Sequence, residues 1–482
     1  MSNEADDLSF VVAFPLPFRV LFLAGIGILG WAANLHGLHI LGIDAASALD
    51  LRTHDDHEYR GPLPTDRRNR GFKLVTDPST LYHPIYRFFA WYAACCLSAW
   101  GVYRWATRGD SALIDPFKFI PAVCALGVLS VVLCPYNILQ KRTRDAFLLS
   151  LRRCLFSPTN HPIYFSDVVF ADIFTSYAKV LGDVWLSLCM LLPGGSLLTL
   201  PTQDGWARWV LPSLMSFPYL VRLRQCLVEY ASTTNESRRP LFNALKYASS
   251  FPVIFLSAAQ RIVVSELVAE KGEHVVSEAW HGEHALFRLW LLCALVNSLY
   301  SFWWDVTNDW GFDLLRFNMQ SRPTRSNSLP RPLVLPAMHD RSESVTSTSP
   351  LHSGTSTPVF SPRRSAFSSS AQPQLHPYGL RSPLLFPLPV YPLIIFLNLV
   401  LRLTWGIKLS SHLHMHSEGS VLIFWVEISE LVRRWMWVFV RVEWEVVKRA
   451  KEGVRVGSEY EEDERYELVS DTPGVKMKLD DL

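Results

Sequence analysis

The sequence predicts an all-α fold: a polytopic helical membrane protein of about nine transmembrane helices, with a disordered Ser/Pro-rich cytosolic loop. Three observations carry this. Charged residues make up only 19 % of the 482, against roughly 25 % in soluble domains, while 49 % are apolar. Apolar stretches long enough to cross a bilayer, about 20 residues each, recur along the chain. Lys and Arg crowd alternate connections and nearly vanish from the others, the asymmetry that separates the two sides of a membrane.

Taken in order, the spanning segments are expected at roughly 16–37, 84–106, 117–136, 166–192, 207–231, 241–268, 285–308, 386–409 and 420–445. The start, "MSNEADDLSF", is acidic where a signal peptide needs a basic region, so the first segment is expected to stay as a spanning helix. Residues 38–83 hold Arg52, Arg60, Arg67, Arg68, Arg70 and Lys73, and residues 137–165 hold Lys141, Arg142, Arg144, Arg152 and Arg153. Arg238 and Arg239 sit in the 232–240 turn, and residues 309–385 carry eight Arg. The intervening connections hold Arg108, Lys271 and little else. This places the N-terminus in the lumen and the C-terminus in the cytosol.

The domain plan follows from those segments. Residues 1–15 are a short luminal terminus, and 16–136 are three scaffold helices facing lipid. Residues 137–319 and 384–447 form a core of six helices, and 448–482 a cytosolic tail with the acidic cluster "EYEEDERYE". Between the two core parts, 320–383 is rich in Ser, Thr, Pro and Arg, cannot build a core, and is expected to be disordered. Ser349-Pro350, Thr357-Pro358, Ser361-Pro362 and Ser382-Pro383 suit proline-directed kinases, although a tolerated loop insertion accounts for the stretch more simply.

Function is read from where charge enters the membrane. Asp172, Lys179, Asp183, Arg222, Arg224, Lys246, Arg261, Asp305, Asp309, Arg402, Lys408, Glu427, Glu430, Arg433 and Arg434 all fall in the last six segments. A charge at the bilayer centre costs about 2.5–3.5 kcal/mol on insertion scales, so these groups must face one another or water. Asp305 and Asp309 are four apart on one helix face, as are Glu430 and Arg434, while Arg402 and Trp405 are three apart. An excess of Arg favours an anionic ligand, because the guanidinium fork matches phosphate or carboxylate oxygens. Internal salt bridges that merely hold helices together are the plainer account of any single pair.

Other chemistry finds little support. The eight cysteines lack CxxC spacing, so neither a disulfide framework nor a zinc site is indicated. His412, His414 and His416 alternate without a clear fourth ligand and read as a polar loop, so no metal is expected. No Gly-rich phosphate loop, Ser-His-Asp arrangement or HExxH motif is present, so neither an enzyme nor a cofactor is expected. A net charge of +2 gives no reason to expect nucleic acid.

Five stretches stand out, "RLRQCLVEY" (222–230), "NALKYASSFPVI" (243–254), "WDVTNDWG" (304–311), "VLRLTW" (400–405) and "SELVRRWMWVFVRVEWE" (429–445), preceded by a looser match, "FADIF" (170–174). In that order they resemble the EXS family of eukaryotic phosphate exporters, over residues 16–450 or so. Exporters of the family carry an N-terminal SPX domain and one more helix, and neither is expected in this chain. It is most similar to the short fungal members without SPX, the ER-retention-defective group of Golgi membrane proteins. Those are implicated in retaining luminal ER proteins, in glycosylation, and in returning phosphate from the Golgi lumen to the cytosol.

The resemblance implies a phosphate path through the last six helices. Arg222, Lys246, Tyr247, Arg402, Arg433 and Arg434 stand where the exporters bind or guide the anion. Asp172, Asp305, Asp309 and Glu430 match acidic partners that hold those bases, and Trp405 matches an aromatic gate. The Asn that usually follows the Asp172 position by three is Thr175 here, which leaves that contact open. Two functions are therefore expected to compete: a Golgi phosphate channel or transporter, and a membrane adaptor sorting Golgi glycosyltransferases and ER residents into retrograde vesicles. The expected partners are inorganic phosphate, membrane lipid and, through the tail, cytosolic sorting factors. Oligomeric state is left open, a homodimer included.

Overall fold

Apolar segments of this length satisfy their backbone groups in lipid only as helices or closed barrels, and here every assigned element among the described residues is helical. The computed structural model describes residues 9–49, 51, 79–156, 163–199, 201, 205–233, 235, 237–271, 285–315, 379–381, 383–403 and 420–470. The first three expected segments form α1 (Leu16–Ile40), α2 (Ser79–Thr107) and α3 (Phe119–Leu133). The basic connection after them, where hydropathy predicts only a loop, holds a further helix, α4 (Lys141–Phe156). Arg144 on α4 is buried and donates to the carbonyls of Cys134, Tyr136 and Ile138 at 2.7–3.0 Å, closing the end of α3. One of the arginines counted in the Lys/Arg asymmetry is therefore structural.

The fourth and sixth segments break. The fourth becomes α5 (Phe165–Thr175) and α6 (Ala178–Leu191), joined by a tightened turn in which Ser176 and Tyr177 donate to Ile173 and Phe174. The sixth becomes α8 (Arg239–Ala248) and α9 (Ser250–Lys271). Pro252 has no N–H to give residue 248, which ends α8 there. The fifth and seventh are α7 (Val210–Ala231) and α10 (Ala285–Trp304), the latter ending in a π-helical turn, Asp305–Asp309. The eighth is described only as α11 (Val390–Arg402). The ninth, α12 (Ser420–Ser470), runs 51 residues and carries the helix well into the expected tail.

Leu16–Ile40, Arg239–Leu267 and Ala285–Asp309 are each long and apolar enough to cross a membrane, and Phe119–Leu133 and Val390–Arg402 are shorter apolar helices.

The expected division into scaffold and core needs one correction. α1 does not merely face lipid: Leu23 packs with Val180 of α6 and with Phe424 and Leu431 of α12. Gly37 makes the close approach to α12 feasible, since a Cβ there would lie 2.7 Å from the Phe439 ring. On α3, Val123, Leu126, Leu129 and Leu133 are all more than half exposed. Residues 313–382 form a separate unit, in which Asp313 donates its N–H to the Gly379 carbonyl at 2.9 Å. The expected disordered loop at 320–383 lies almost wholly outside the described residues.

The "WDVTNDWG" stretch owes its turn to Gly311, whose φ is +68° and whose Cβ position lies 2.6 Å from the Trp444 ring. Trp310 and Phe312 donate back to Asp305 and Val306, so the turn is fixed from both sides. Gly311→Ala is expected to lose about 1–2 kcal/mol from the left-handed backbone alone, before any clash with Trp444. Thermal unfolding in detergent should show a lowered midpoint; an unchanged midpoint would mean that the turn relaxes freely.

Candidate functional site

The three discontinuities converge on the buried charges. Helix breaks at membrane depth persist where they line a polar site, because the freed backbone and side-chain groups need partners there. The α5–α6 turn supplies Thr175 and Ser176, α8 ends at Lys246 and Tyr247, and the π-helical turn carries Asp305 and Asp309. Lys246 and Arg402 each lie in the last turn of their helix, where the dipole favours a cation.

Two linked clusters result. In the first, Asp172 accepts from Arg222 Nε at 2.8 Å and from the Tyr247 hydroxyl at 2.5 Å. Arg222 also donates to Gln225 Oε1 at 2.6 Å and lies over the Tyr247 ring, 4.9 Å from its centroid. In the second, Lys246 Nζ sits 3.2 Å from Asp305 and 3.1 Å from Asp309. The other Asp305 oxygen accepts from Arg402 Nη2 at 2.5 Å and from Asn398 at 3.3 Å. Lys246 and Tyr247, adjacent in sequence, tie the clusters together.

α12 closes the site with adjacent arginines that do different things. Arg433 pairs with Glu430 at 2.7 Å and reaches Asn398 at 3.4 Å. Arg434 instead donates to the hydroxyls of Ser176 and Thr175, at 3.1 Å each, and stacks over Trp437. The four-residue spacing puts Arg434 on the face of Glu430, yet the carboxylate goes to Arg433, three residues along, because Arg434 is turned toward α5 and α6. Arg434 is 5 % exposed, and its Nη1 is buried without a hydrogen-bond partner. Asp305, at 0 %, is the most deeply buried charge of the set.

The structure therefore brings together Arg222, Lys246, Tyr247, Arg402, Arg433 and Arg434 with Asp172, Asp305, Asp309 and Glu430. Five cations meet four carboxylates, and the cation without a carboxylate is Arg434. Trp405 lies outside the described residues, as do His412, His414 and His416. Among the described residues no group of three or more His, Cys, Asp or Glu is placed to hold a metal ion. Sequence reasoning missed Asn398, which bridges Asp305 and Arg433. Its signal was present: it lies four residues before Arg402, on the same face. The open Thr175 position is occupied by a new contact, the bond from Arg434.

The EXS family model matches residues 14–447. The chain belongs to the EXS family. The EXS match includes every residue of the two clusters. Protein ERD1 homolog 2 of Schizosaccharomyces pombe is 26 % identical over 450 residues, covering 90 % of this chain and 98 % of that protein. Protein ERD1 homolog 1 of the same yeast is also 26 % identical, over 92 % of this chain and 94 % of its own. Phosphate transporter PHO1-2 of Oryza sativa is 26 % identical over 201 residues, 40 % of this chain and 22 % of the rice protein. The EXS relatives thus include full-length matches and larger proteins that share only part of this chain.

Proposed function

We propose that this EXS protein is a Golgi membrane channel or transporter that returns inorganic phosphate from the lumen to the cytosol. By clearing the phosphate that glycosylation leaves behind, it would support glycosylation and the retention of luminal ER proteins. The observation that carries the reading is the buried cationic excess ending at Arg434, whose Nη1 is buried without a hydrogen-bond partner and so keeps a donor for an oxyanion. A phosphate with one or two negative charges suits a site holding one uncompensated positive charge. The bound bases explain release: an anion must compete with Asp172, Asp305 and Asp309, so it is held loosely enough to leave. The rice relative's name, a phosphate transporter, and the resemblance to the exporters support the same ligand.

The adaptor reading keeps one observation in its favour, the continuation of α12 to Ser470, which would present a helix to cytosolic sorting factors. Phosphate flux separates the two. Purified protein in phosphate-loaded proteoliposomes is expected to release phosphate well above empty vesicles, with chloride-loaded vesicles unaffected. Release at the empty-vesicle rate would remove the transport reading and leave the adaptor.

A further inference from the structure

Lys179, Asp183 and Glu427 form a third charged group that the central site does not use. Lys179 lies in the first turn of α6, one turn beyond the Thr175–Ser176 pair that holds Arg434. Its Nζ bonds Asp183 on the same helix and lies 3.6 Å from Glu427 Oε1 on α12. The lysine side chain is 31 % exposed, whereas those of Asp183 and Glu427 are 3 % and 8 % exposed. A lysine side chain about a third exposed among apolar helices keeps its charge toward its carboxylates or toward water, since hydrocarbon does not tolerate it.

Its position along the helices gives it meaning. Glu427 precedes Arg434 by seven residues, so the two share a face of α12 and lie about 10 Å apart along its axis. On the orientation given by the Lys/Arg asymmetry, the Ser420 end of α12 is luminal. Lys179 is then nearer the lumen than Arg434, Arg433 and the Asp305 cluster. Beside it, Leu23, Val180, Phe424 and Leu431 form an apolar wall.

We propose that Lys179 is a luminal station for the oxyanion, from which it passes to Arg434; this rests on the transport reading above. Asp183 and Glu427 hold the ammonium in place and weaken its grip on an arriving anion. Conduction over several sites needs such a weak intermediate, because a strong one would trap the ion short of the next.

The test uses the full chain reconstituted into vesicles of known sidedness, with inorganic phosphate varied on each side. Lys179→Gln is expected to raise the luminal half-saturation about tenfold, a shift of about one decade in affinity, and to leave the cytosolic value within about twofold. Lys179→Arg should recover most of that loss. Asp183→Asn frees the ammonium from one clamp and should lower the luminal half-saturation and the maximal rate together. An unchanged luminal half-saturation in Lys179→Gln, with wild-type flux intact, overturns the station and leaves the deeper path standing. Wild-type half-saturation and rate in Asp183→Asn overturn it equally, even if Lys179→Gln fails to fold. Absence of phosphate flux in the wild-type protein overturns the station together with the path.

Discussion

Asp305→Asn is expected to cost the protein most of its folded yield and to abolish phosphate flux. Asp305 holds Lys246 through one oxygen and Arg402 through the other, and it is wholly buried. Removing one member of a buried pair leaves an uncompensated charge, at about 3–5 kcal/mol per pair in soluble proteins. Lys246 would keep Asp309, but the amide has one oxygen for two bases, so one of them meets its NH2 group and Arg402 loses the negative charge it pairs with. Asn398, which donates to the same oxygen, would lose its acceptor or force a flip that disturbs Arg433. The loss should appear as aggregation in size-exclusion profiles and as a lowered thermal midpoint. Asp305→Glu should recover part of both, because the charge survives with altered reach. The control is Glu266→Gln: its pair with Arg208 is largely exposed, and such pairs are worth about 0–1 kcal/mol. A monodisperse Asp305→Asn protein with wild-type midpoint and flux would mean that this carboxylate does not hold the bases.

Much of this was legible in the sequence, for identifiable reasons. Helical spans follow from apolar length, and the burial of Asp172, Asp305, Arg222 and Lys246 follows from the cost of charge in hydrocarbon. Hydropathy could not show the breaks at Ser176 and Ser249, because a window averages over a turn of two residues. Nor could it find α4, whose basic residues at both ends leave no sustained apolar run. Spacing alone also cannot choose between Arg433 and Arg434 as the partner of Glu430, since three and four residues lie on nearly the same face. The choice is made by α5 and α6, whose hydroxyls draw Arg434 away, and those hydroxyls are placed by the break that hydropathy missed. The expectation of a lipid-facing first helix failed for a related reason: an all-apolar segment is equally suited to lipid and to the centre of a bundle.

Arg434→Gln is expected to separate transport from folding. None of the described carboxylates lies within salt-bridge distance of Arg434, so its removal strands no buried negative charge. Glutamine can still donate to Thr175 or Ser176, so the stability change should stay near that of a single hydrogen bond, about 1 kcal/mol. Flux should respond far more. A charge-assisted bond to an oxyanion is worth about 1.5–3 kcal/mol, which corresponds to a loss of roughly 10- to 150-fold. Arg434→Lys should fall between, because it keeps the charge but not the fork that meets two oxygens at once. Arg402→Gln supplies the contrast: it takes from the wholly buried Asp305 one of its two cations, so yield and flux should fall together. Flux is read from phosphate-loaded proteoliposomes at matched protein content, and folding from the thermal midpoint of the same preparations. Wild-type flux in Arg434→Gln would show that the unpartnered Nη1 is not where the anion binds. A collapse of its midpoint would show that Arg434 serves the α5–α6 break instead, and that the positive excess is structural.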